Sequence, residues 1–398
     1  MKNNKFYVTT PIYYVNANPH LGTLYSTLLA DISARWNKIL GKEVFFLTGL
    51  DEHGQKVGEA AEKAGKSPQE FVDAMVPKFK DVWNRYDFQF DHFVRTTDAS
   101  HKAAVVALIE KLKEKGDIYK SSYVGYYCTP CETFIAPHLV DKDKPECPSC
   151  GRGVHEVEEE SYFFRLSAYQ DRLIEFYKNN PDFAVPKERL NEVISFVESG
   201  LKDLSISRKS VKWGIPFPGD AEHTVYVWGD ALTNYISAIG FGSDDNQKNA
   251  FFEKWWPADL HIMAKDIFRF HAVYWPAMLM SVGLALPKRE LVHGYLLMDG
   301  LKMSKSLGNV IDPVMLADWY GHEQVRYYLA RHMAVTQDGS ITLKEIENCI
   351  NADLANNLGN LLNRMITLAT RNDIKTVTPA ETWEADSAYM RERCEEAF

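Results

Sequence analysis

The sequence predicts an α/β protein whose main domain is a doubly wound parallel sheet, with an inserted cysteine-rich domain and a helical region after it. Three observations predict this arrangement. A strand, a helix and a second strand follow one another near the start of the chain. Two C-x2-C pairs then interrupt the α/β pattern, and after about residue 343 the apolar residues recur at helical spacing. With 398 residues, the chain is long enough for two or three domains.

The opening βαβ unit defines the first half of the sheet domain, residues 1–116. The segment 5–10, KFYVTT, is typical of a strand, and 24–40 has the apolar spacing of a helix that ends at Gly41. The segment 43–49, EVFFLTG, predicts a second, buried strand. Ligands of such sheets bind beyond the carboxyl ends of the strands. The segments PIYYVNANPHLGT and LDEHG therefore lie where a site is expected.

Four cysteines indicate a metal site in the inserted domain, residues 117–222. They form the pairs CTPC and CPSC: Cys128, Cys131, Cys147 and Cys150. Two-residue gaps let both thiolates of a pair face one point, and two pairs complete the tetrahedron of a structural Zn²⁺. Two disulfides are the alternative, which the lack of a secretory context disfavours.

The rest of the chain is divided into three segments. Residues 223–290 predict the second half of the sheet domain, with strands HTVYVW and DLHIMA each followed by a helix that Asp230 or Asp266 could cap. Residues 291–342 contain an Asp-Gly turn signal and the loop KMSKS. Residues 343–398 predict the start of an α-helical bundle.

Composition and targeting signals restrict the class of protein. The net charge of −9 argues against general nucleic-acid binding, and we expect no DNA partner. The most apolar stretch, 272–287, is too short to cross a membrane, so we expect no membrane partner. The N-terminus lacks a signal-peptide pattern, which predicts the cytoplasm or an organellar matrix.

The cluster PHLGT, residues 19–23, predicts an anion site at a helix start. Helix N-termini offer N–H groups and a partial positive charge, and Gly22 allows a phosphate to approach the backbone. On its own, the cluster is more typical of an ordinary hydrogen-bonded histidine at a helix start. The lysines of KMSKS could close over a triphosphate. The chain has neither a P-loop nor a G-x-G-x-x-G after a strand.

Together these segments resemble the class I aminoacyl-tRNA synthetases, and within that class the methionyl-tRNA synthetase family. The matching segments keep the family's order along nearly the whole chain: PIYYVNANPHLG, FFLTGLDEHGQKV, the four cysteines, DLSISR, YVWGDALTNY, AKDIFRFHAVYWPAML, HGYLLMDGLKMSKSLGN and NADLANNLGNLLNR. The resemblance implies a Rossmann-like catalytic domain that joins methionine to tRNA with ATP.

The resemblance also implies site residues for ATP and its Mg²⁺. Catalytic roles fall on the two signature motifs: His20, Gly22, Thr23, Lys302 and Lys305. The implied ATP contacts are His20, Gly22, Thr23, Asp266, Gly294, Tyr295, Leu296 and Lys305. Lys302 is implied to have a catalytic role only. The family usually has a second histidine where this chain has Thr23. We expect the threonine hydroxyl to act there as a shorter, uncharged donor.

The methionine and tRNA contacts are implied in the same way. Asp51 would pair with the ammonium group, although it could instead cap a helix. The pocket for the rest of methionine would comprise Ile12, Tyr14, Trp228, Ala231, Leu232, Tyr235, Ile267, Phe270 and His271. Asn360 and Arg364 match positions that read the anticodon of tRNA(Met). The family's bundle runs past residue 398, so we expect better activation of methionine than transfer.

The nearest alternative is a related synthetase for another amino acid, and two further alternatives lie outside tRNA charging. Leucine, isoleucine and valine enzymes share the two signatures but carry larger insertions, and a cysteine enzyme would need an open zinc. A small-molecule adenylyltransferase would need neither the cysteine pairs nor the helical end. A zinc-knuckle RNA-binding protein without catalysis would bind no ATP and would be more basic than this chain.

Overall fold

The computed structural model describes residues 4–129, 133–135, 139–141, 143–148, 151–298, 300–302, 311–376 and 384–397. The chain divides into two compact units, Met1–Thr342 and Leu343–Phe398. Among the helices within these ranges, none has both the length and the apolar character needed to cross a membrane.

The first unit alternates strands and helices. Its strands are β1 (Lys5–Tyr14), β2 (Glu43–Asp51), β3 (His92–Arg95), β4 (Ile118–Cys128), β5 (Thr133–Ile135), β6 (His155–Phe164), β7 (Ala184–Val185), β8 (Leu204–Ser205), β9 (Ser207–Arg208), β10 (Pro216–Phe217), β11 (Asp220–Val225), β12 (Leu260–Ala264), β13 (Glu290–His293), β14 (Leu296–Met298), β15 (Leu301–Lys302) and β16 (Gly339–Ile341). Its helices are α1 (Leu21–Ile39), α2 (Gln55–Lys63), α3 (Pro68–Arg85), α4 (Ala99–Glu114), α5 (Gln170–Asn179), α6 (Lys187–Glu198), α7 (Val227–Ala231), α8 (Asn234–Ser237), α9 (Asn246–Trp255), α10 (Trp275–Ser281), α11 (Pro313–Tyr320) and α12 (His322–His332).

A parallel sheet organises the first unit. Within the described residues its strand order is β3-β2-β1-β12-β13-β7, and every neighbouring pair is parallel. The order changes direction between β1 and β12, which is the topological switch point where ligands of doubly wound sheets bind. The doubly wound parallel sheet is therefore confirmed.

The first strand is longer than the sequence suggested. We expected it to end at residue 10, before Pro11, but β1 continues to Tyr14. The register against β2 shifts between Thr9 and Ile12, and pairing then resumes up to Tyr14 and Asp51. Since proline has no N–H to contribute to a ladder, it is tolerated at such an irregularity.

The segment around residue 226 also differs from expectation. The strand predicted over HTVYVW ends at Val225, and the helix predicted from Asp230 begins earlier, with Tyr226 as the N-cap of α7. Asp230 lies inside α7, so the prediction that it caps a helix is wrong. Its side chain turns inward because the buried His53 and His101 both hydrogen-bond to it.

The segment predicted as an insertion has its own sheet but shares the main core. β4, β5, β6 and β8 form an antiparallel sheet in the order β5-β4-β6-β8. Farther along the same segment, β7 joins the edge of the parallel sheet beside β13. Side chains of α5 and α6, such as Leu173 and Val193, are buried in the same apolar cluster as the sheet.

The loop region and the second unit complete the chain. β14 and β15 form the expected antiparallel hairpin, and β16 adds to it in parallel. The second unit is helical: α13 (Leu343–Cys349), a π-helical segment (Ile350–Gly359), α14 (Asn360–Arg371) and α15 (Ala385–Ala397). Within it, Leu358, Leu361 and Met365 are exposed apolar side chains.

Candidate active site

The signature PHLG forms the beginning of α1, just beyond the carboxyl end of β1. His20 is the N-cap residue, and its Nδ1 accepts a hydrogen bond from the Gly22 N–H over 3.1 Å. The Thr23 hydroxyl donates to the His20 carbonyl over 2.7 Å and accepts from the His20 N–H over 3.1 Å. This reciprocal arrangement is a capping box with histidine at the cap position. It leaves the helix N-terminus beside the switch point of the sheet.

The residues expected to hold methionine lie near the ends of β1 and β2, on α7 and α8 and at Leu232 between them, and on the segment after β12. Tyr14 and Asp51 are register partners at the carboxyl ends of β1 and β2. The rings of Trp228 and Phe270 are stacked with centroids 3.8 Å apart. The remaining members pack in or against the same apolar cluster or are buried beside it: Ile12, Ala231, Leu232, Tyr235, Ile267 and His271.

Asp51 is a buried carboxylate at this edge of the sheet. It is the last residue of β2, and its side chain is buried. The following helix, α2, has Gly54 as its N-cap and no side-chain cap bond. The alternative that Asp51 caps this helix is therefore wrong.

A buried tyrosine–histidine pair gives the aromatic pocket its polar group. His271 Nδ1 lies 3.0 Å from the Ile267 carbonyl oxygen, which can only accept, so Nδ1 donates. The other nitrogen, Nε2, then accepts from the Tyr235 hydroxyl over 2.7 Å. Burial lowers the pKa of His271 to about 4, so the ring is neutral near pH 7. The pocket therefore offers an uncharged polar group among aromatic rings.

The stretch expected to hold adenosine follows β13. A Cβ atom at Gly294 would stand 2.0 Å from the Gln337 carbonyl oxygen, so only glycine allows this approach of two backbones. Asp338 accepts from the Tyr295 N–H over 2.8 Å and forms an ion pair with Lys265. Burial, followed by the charges of Asp266 and Asp338, raises the pKa of Tyr295 to about 12. Asp266 therefore lies close enough to this stretch to affect the Tyr295 hydroxyl.

Comparison with known sequences identifies the family. A sequence model of the family described as "tRNA synthetases class I (M)" matches residues 6–366. The chain belongs to this family. It is similar to the "Methionine--tRNA ligase" of Thermotoga maritima, with 50% identity over 391 residues, which make up 98% of this chain and 62% of that protein.

Two further relatives support the same family. The "Methionine--tRNA ligase" of Caldanaerobacter subterraneus subsp. tengcongensis is 50% identical over 364 residues, 91% of this chain and 56% of that protein. Among solved structures, Mycobacterium tuberculosis methionyl-tRNA synthetase in complex with methionyl-adenylate matches with a TM-score of 0.93 and 44% identity, covering 99% of this chain and 78% of that one. This member of the class I synthetases therefore spans less than two thirds of the curated relatives' length.

One polar group that sequence reasoning missed is a buried His-Asp-His network. Asp230 accepts from His53 Nδ1 over 2.7 Å and from His101 Nε2 over 2.7 Å. His101 Nδ1 also lies 2.8 Å from the Ser237 hydroxyl. Burial alone would raise the pKa of Asp230, but the two histidines outweigh it and lower the pKa to about 2. The signal was present in LDEHG and VWGD, where a histidine and an acid each follow an expected pocket residue.

A second missed contact joins α1 to the end of β13. His293 Nδ1 donates to the Gly294 carbonyl over 2.8 Å, so Nε2 accepts from the Ser26 hydroxyl over 2.7 Å. Burial lowers the pKa of His293, which favours this neutral form. The contact links the helix that carries His20 to the stretch expected to bind adenosine.

The remaining expected residues lie elsewhere or outside the described ranges. Cys131, Cys150, Lys305 and the Lys302 side chain lie outside what the structure describes. Cys128 and Cys147 are buried in one small cluster with Tyr126, Ile135 and Val140. In the second unit, Asn360 and Arg364 lie in the first turns of α14 and are exposed.

Proposed function

We propose that the protein is a methionine–tRNA ligase that activates L-methionine with ATP and transfers it to the 3′ end of tRNA(Met). One observation carries this proposal: the α1 N-terminus, the buried Asp51 and Phe270, on which Trp228 stacks, follow or end β1, β2 and β12, the strands at and beside the switch point of the sheet. Family membership and the names of the relatives support the same activity. We expect the protein to act in the cytoplasm, where such ligases supply protein synthesis.

The first step needs positioning more than proton transfer. The methionine carboxylate is already ionised near neutral pH and attacks the α-phosphorus of ATP, so pyrophosphate departs. His20 and the N–H groups of the α1 N-terminus would stabilise charge on the phosphates. Lys302 and Lys305 would steady the triphosphate, and Mg²⁺ would accompany ATP as part of the substrate.

The pocket chemistry suits methionine as the amino acid. Asp51 would pair with the ammonium group, and its burial would strengthen that attraction. The stacked rings of Trp228 and Phe270 would lie against the thioether, since sulfur contacts aromatic rings favourably. The neutral His271–Tyr235 pair adds a polar group without a net charge.

A structural zinc fits the cysteine pairs. Beside the second pair, the Gly151 N–H donates to the Cys147 carbonyl over 2.8 Å, and Gly151 has a φ of +68°. Cys128 ends β4, where the backbone of Cys128 pairs with that of Thr133 in β5. A Cys₄ site needs one cysteine of each pair to lie in the same place, and Cys128 and Cys147 are buried in one cluster, so Zn²⁺ would cross-link this part of the chain.

The second step concerns tRNA, and the second unit is proposed to contribute Asn360 and Arg364 to anticodon recognition. Both side chains are exposed near the start of α14 and lie one helical turn apart. Exposed amide and guanidinium groups can hydrogen-bond to unstacked bases. Replacing Arg364 by Ala is expected to raise the KM for tRNA(Met) and leave methionine activation unchanged.

Pyrophosphate exchange into ATP, measured with each of the twenty amino acids, tests the proposal. Exchange that depends on methionine alone supports both the reaction and the pocket. Exchange with leucine, isoleucine, valine or cysteine instead would support a class I synthetase but would show that methionine is not its amino acid. Absence of exchange in folded, zinc-loaded protein would refute the proposed enzymatic activity. The alternative of an RNA-binding protein without catalysis would then be favoured.

A further inference from the structure

The hydroxyl of Thr23 is committed to the backbone of His20. A threonine hydroxyl has a single hydrogen, and here it lies on the His20 carbonyl, while the oxygen accepts from the His20 N–H. The Thr23 residue is only 8% exposed. Donation from Thr23 to a phosphate oxygen would therefore require breaking the cap of α1. This differs from the role expected for a threonine that stands where the family usually has histidine.

The same cap determines which nitrogen of His20 carries the proton. Nδ1 accepts from the Gly22 N–H over 3.1 Å, so in the neutral ring the hydrogen is on Nε2. Gly22 makes this ring position available, because a Cβ atom there would stand 3.0 Å from Cε1 and 3.1 Å from Nδ1 of His20. The His20 residue is exposed, so Nε2 can be reached by a ligand at the helix N-terminus.

We propose that Thr23 is a positioning residue that acts through His20. It holds the His20 backbone in the cap conformation, and the cap fixes the tautomer in which Nε2–H donates to a phosphate oxygen of ATP. The inference rests on the proposed function, because it assigns a mechanism to the same site. In the usual motif two histidines are available to donate to phosphate. In this chain the proposal leaves that role to the His20 imidazole alone.

A double-mutant cycle in pyrophosphate exchange separates this role from direct contact. Thr23→Val keeps the side-chain shape and removes the hydroxyl, and we expect kcat to fall about ten- to hundredfold while the KM for methionine stays within about twofold. Thr23→Ser keeps the hydroxyl and should retain activity within about twofold. In a His20→Ala background, Thr23→Val should have almost no further effect, because the residue acts through the missing ring.

A direct contact between Thr23 and phosphate would give a different result in the same double-mutant cycle. If Thr23 itself contacts phosphate, Thr23→Val costs the same factor with and without His20, and the inference is overturned. Thr27→Val is the matched control, because Thr27 is a buried threonine one turn later whose hydroxyl donates to the Thr23 carbonyl over 2.9 Å. It should leave kcat near that of the unaltered protein.

The tautomer of His20 gives a readout that does not depend on activity. In the free protein with ¹⁵N-labelled histidine, assigned with His20→Gln, the Nδ1 resonance should be that of an unprotonated nitrogen and Nε2 that of a protonated one. Thr23→Val should mix the tautomers, and Thr23→Ser should not. A pure Nε2–H signal in Thr23→Val would contradict the inference even if exchange is slow. Failure of methionine-dependent exchange in the unaltered protein would instead refute the proposed function, while this spectrum still tests the cap.

Discussion

The Nδ1 atom of His53 lies 2.7 Å from the Oδ2 atom of Asp230, although 177 residues separate the two in the sequence. His53 follows β2 by two residues and Asp51 ends that strand, while Asp230 lies two residues after Trp228 on α7. The hydrogen bond therefore fixes the distance between the carboxylate expected to bind the ammonium group and the ring expected to contact the side chain. His101 on α4 holds the same carboxylate from the other side.

Replacing Asp230 by Asn is expected to destabilise the protein by about 3 kcal/mol near neutral pH. The amide has one acceptor oxygen and turns an NH₂ group toward one of two imidazole donors. Because the pKa of Asp230 is lowered to about 2 in the folded chain, its contribution is complete above the unfolded pKa of about 3.9 and is lost as the pH falls toward 2. Urea unfolding at about pH 7 and about pH 3 measures the difference in free energy of unfolding between Asp230→Asn and the unaltered protein. This difference should be smaller at the lower pH.

The exposed Asp244 provides the control for this measurement. Asp244→Asn should change the free energy of unfolding by less than about 0.5 kcal/mol at either pH. A gap between Asp230→Asn and the unaltered protein that stays constant down to about pH 3 would contradict the charge-based explanation.

Glu290 predicts a change of the opposite sign. It is fully buried on β13, and none of the described residues hydrogen-bonds to its carboxyl oxygens. Burial raises its pKa well above the usual value, so the folded chain holds a proton that the unfolded chain releases above about pH 4.3. Glu290→Gln should therefore raise the free energy of unfolding by about 1 to 3 kcal/mol near pH 7, and the gain should vanish below about pH 4.

Comparison with an exposed glutamate separates this effect from a general change in charge. Glu253→Gln should leave the pH dependence of unfolding nearly unchanged. If Glu290→Gln proves less stable than the unaltered protein near pH 7, the carboxylate must be needed in its charged form, and the assignment of a neutral acid would be wrong.

The sequence was a sufficient guide to the sheet because local patterns determine it. Apolar runs and glycine stops predicted β2 and α1 to within a few residues. The pattern failed where tertiary pairing decides: β1 continues past Pro11 because β2 offers a partner up to Asp51. It failed again at Tyr226, where a strand becomes α7 inside the core.

The site was predictable only in part, for a related reason. The family resemblance predicted Trp228 and Phe270 as pocket residues. That their rings stack became visible only in the folded structure. The motifs LDEHG and VWGD place His53 and Asp230 next to expected pocket residues, but the sequence does not pair Asp230 with its partners. His53 and His101 lie more than a hundred residues away and reach it only after β2, α4 and α7 pack together. Similarly, Ser26 and His293 are 267 residues apart and meet only at the edge of the sheet.

Removal of one cysteine should release the proposed zinc. Cys128→Ser and Cys147→Ser each take a thiolate from a four-thiolate site, so bound zinc should fall from about one ion per chain to nearly none after dialysis against a chelator. Metal analysis by atomic absorption measures this. Cys349→Ser should keep its zinc, since Cys349 belongs to neither C-x2-C pair. Zinc retained in both Cys128→Ser and Cys147→Ser would refute the Cys₄ site.

Loss of the Tyr235 hydroxyl should weaken methionine binding selectively. Tyr235→Phe leaves His271 Nε2 without its donor inside the aromatic pocket, which costs about 1 to 3 kcal/mol for a buried acceptor. We expect the KM for methionine in pyrophosphate exchange to rise about tenfold while the KM for ATP changes little. Tyr177→Phe is the matched control, because the Tyr177 hydroxyl donates to Ala272 over 2.6 Å, in the same π-helical segment (Phe270–Tyr274) as His271. It removes a buried hydrogen bond of similar length outside the pocket and should lower thermal stability without changing either KM. An equal rise in the methionine KM for both variants would mean that the segment as a whole, and not the Tyr235–His271 pair, determines methionine binding.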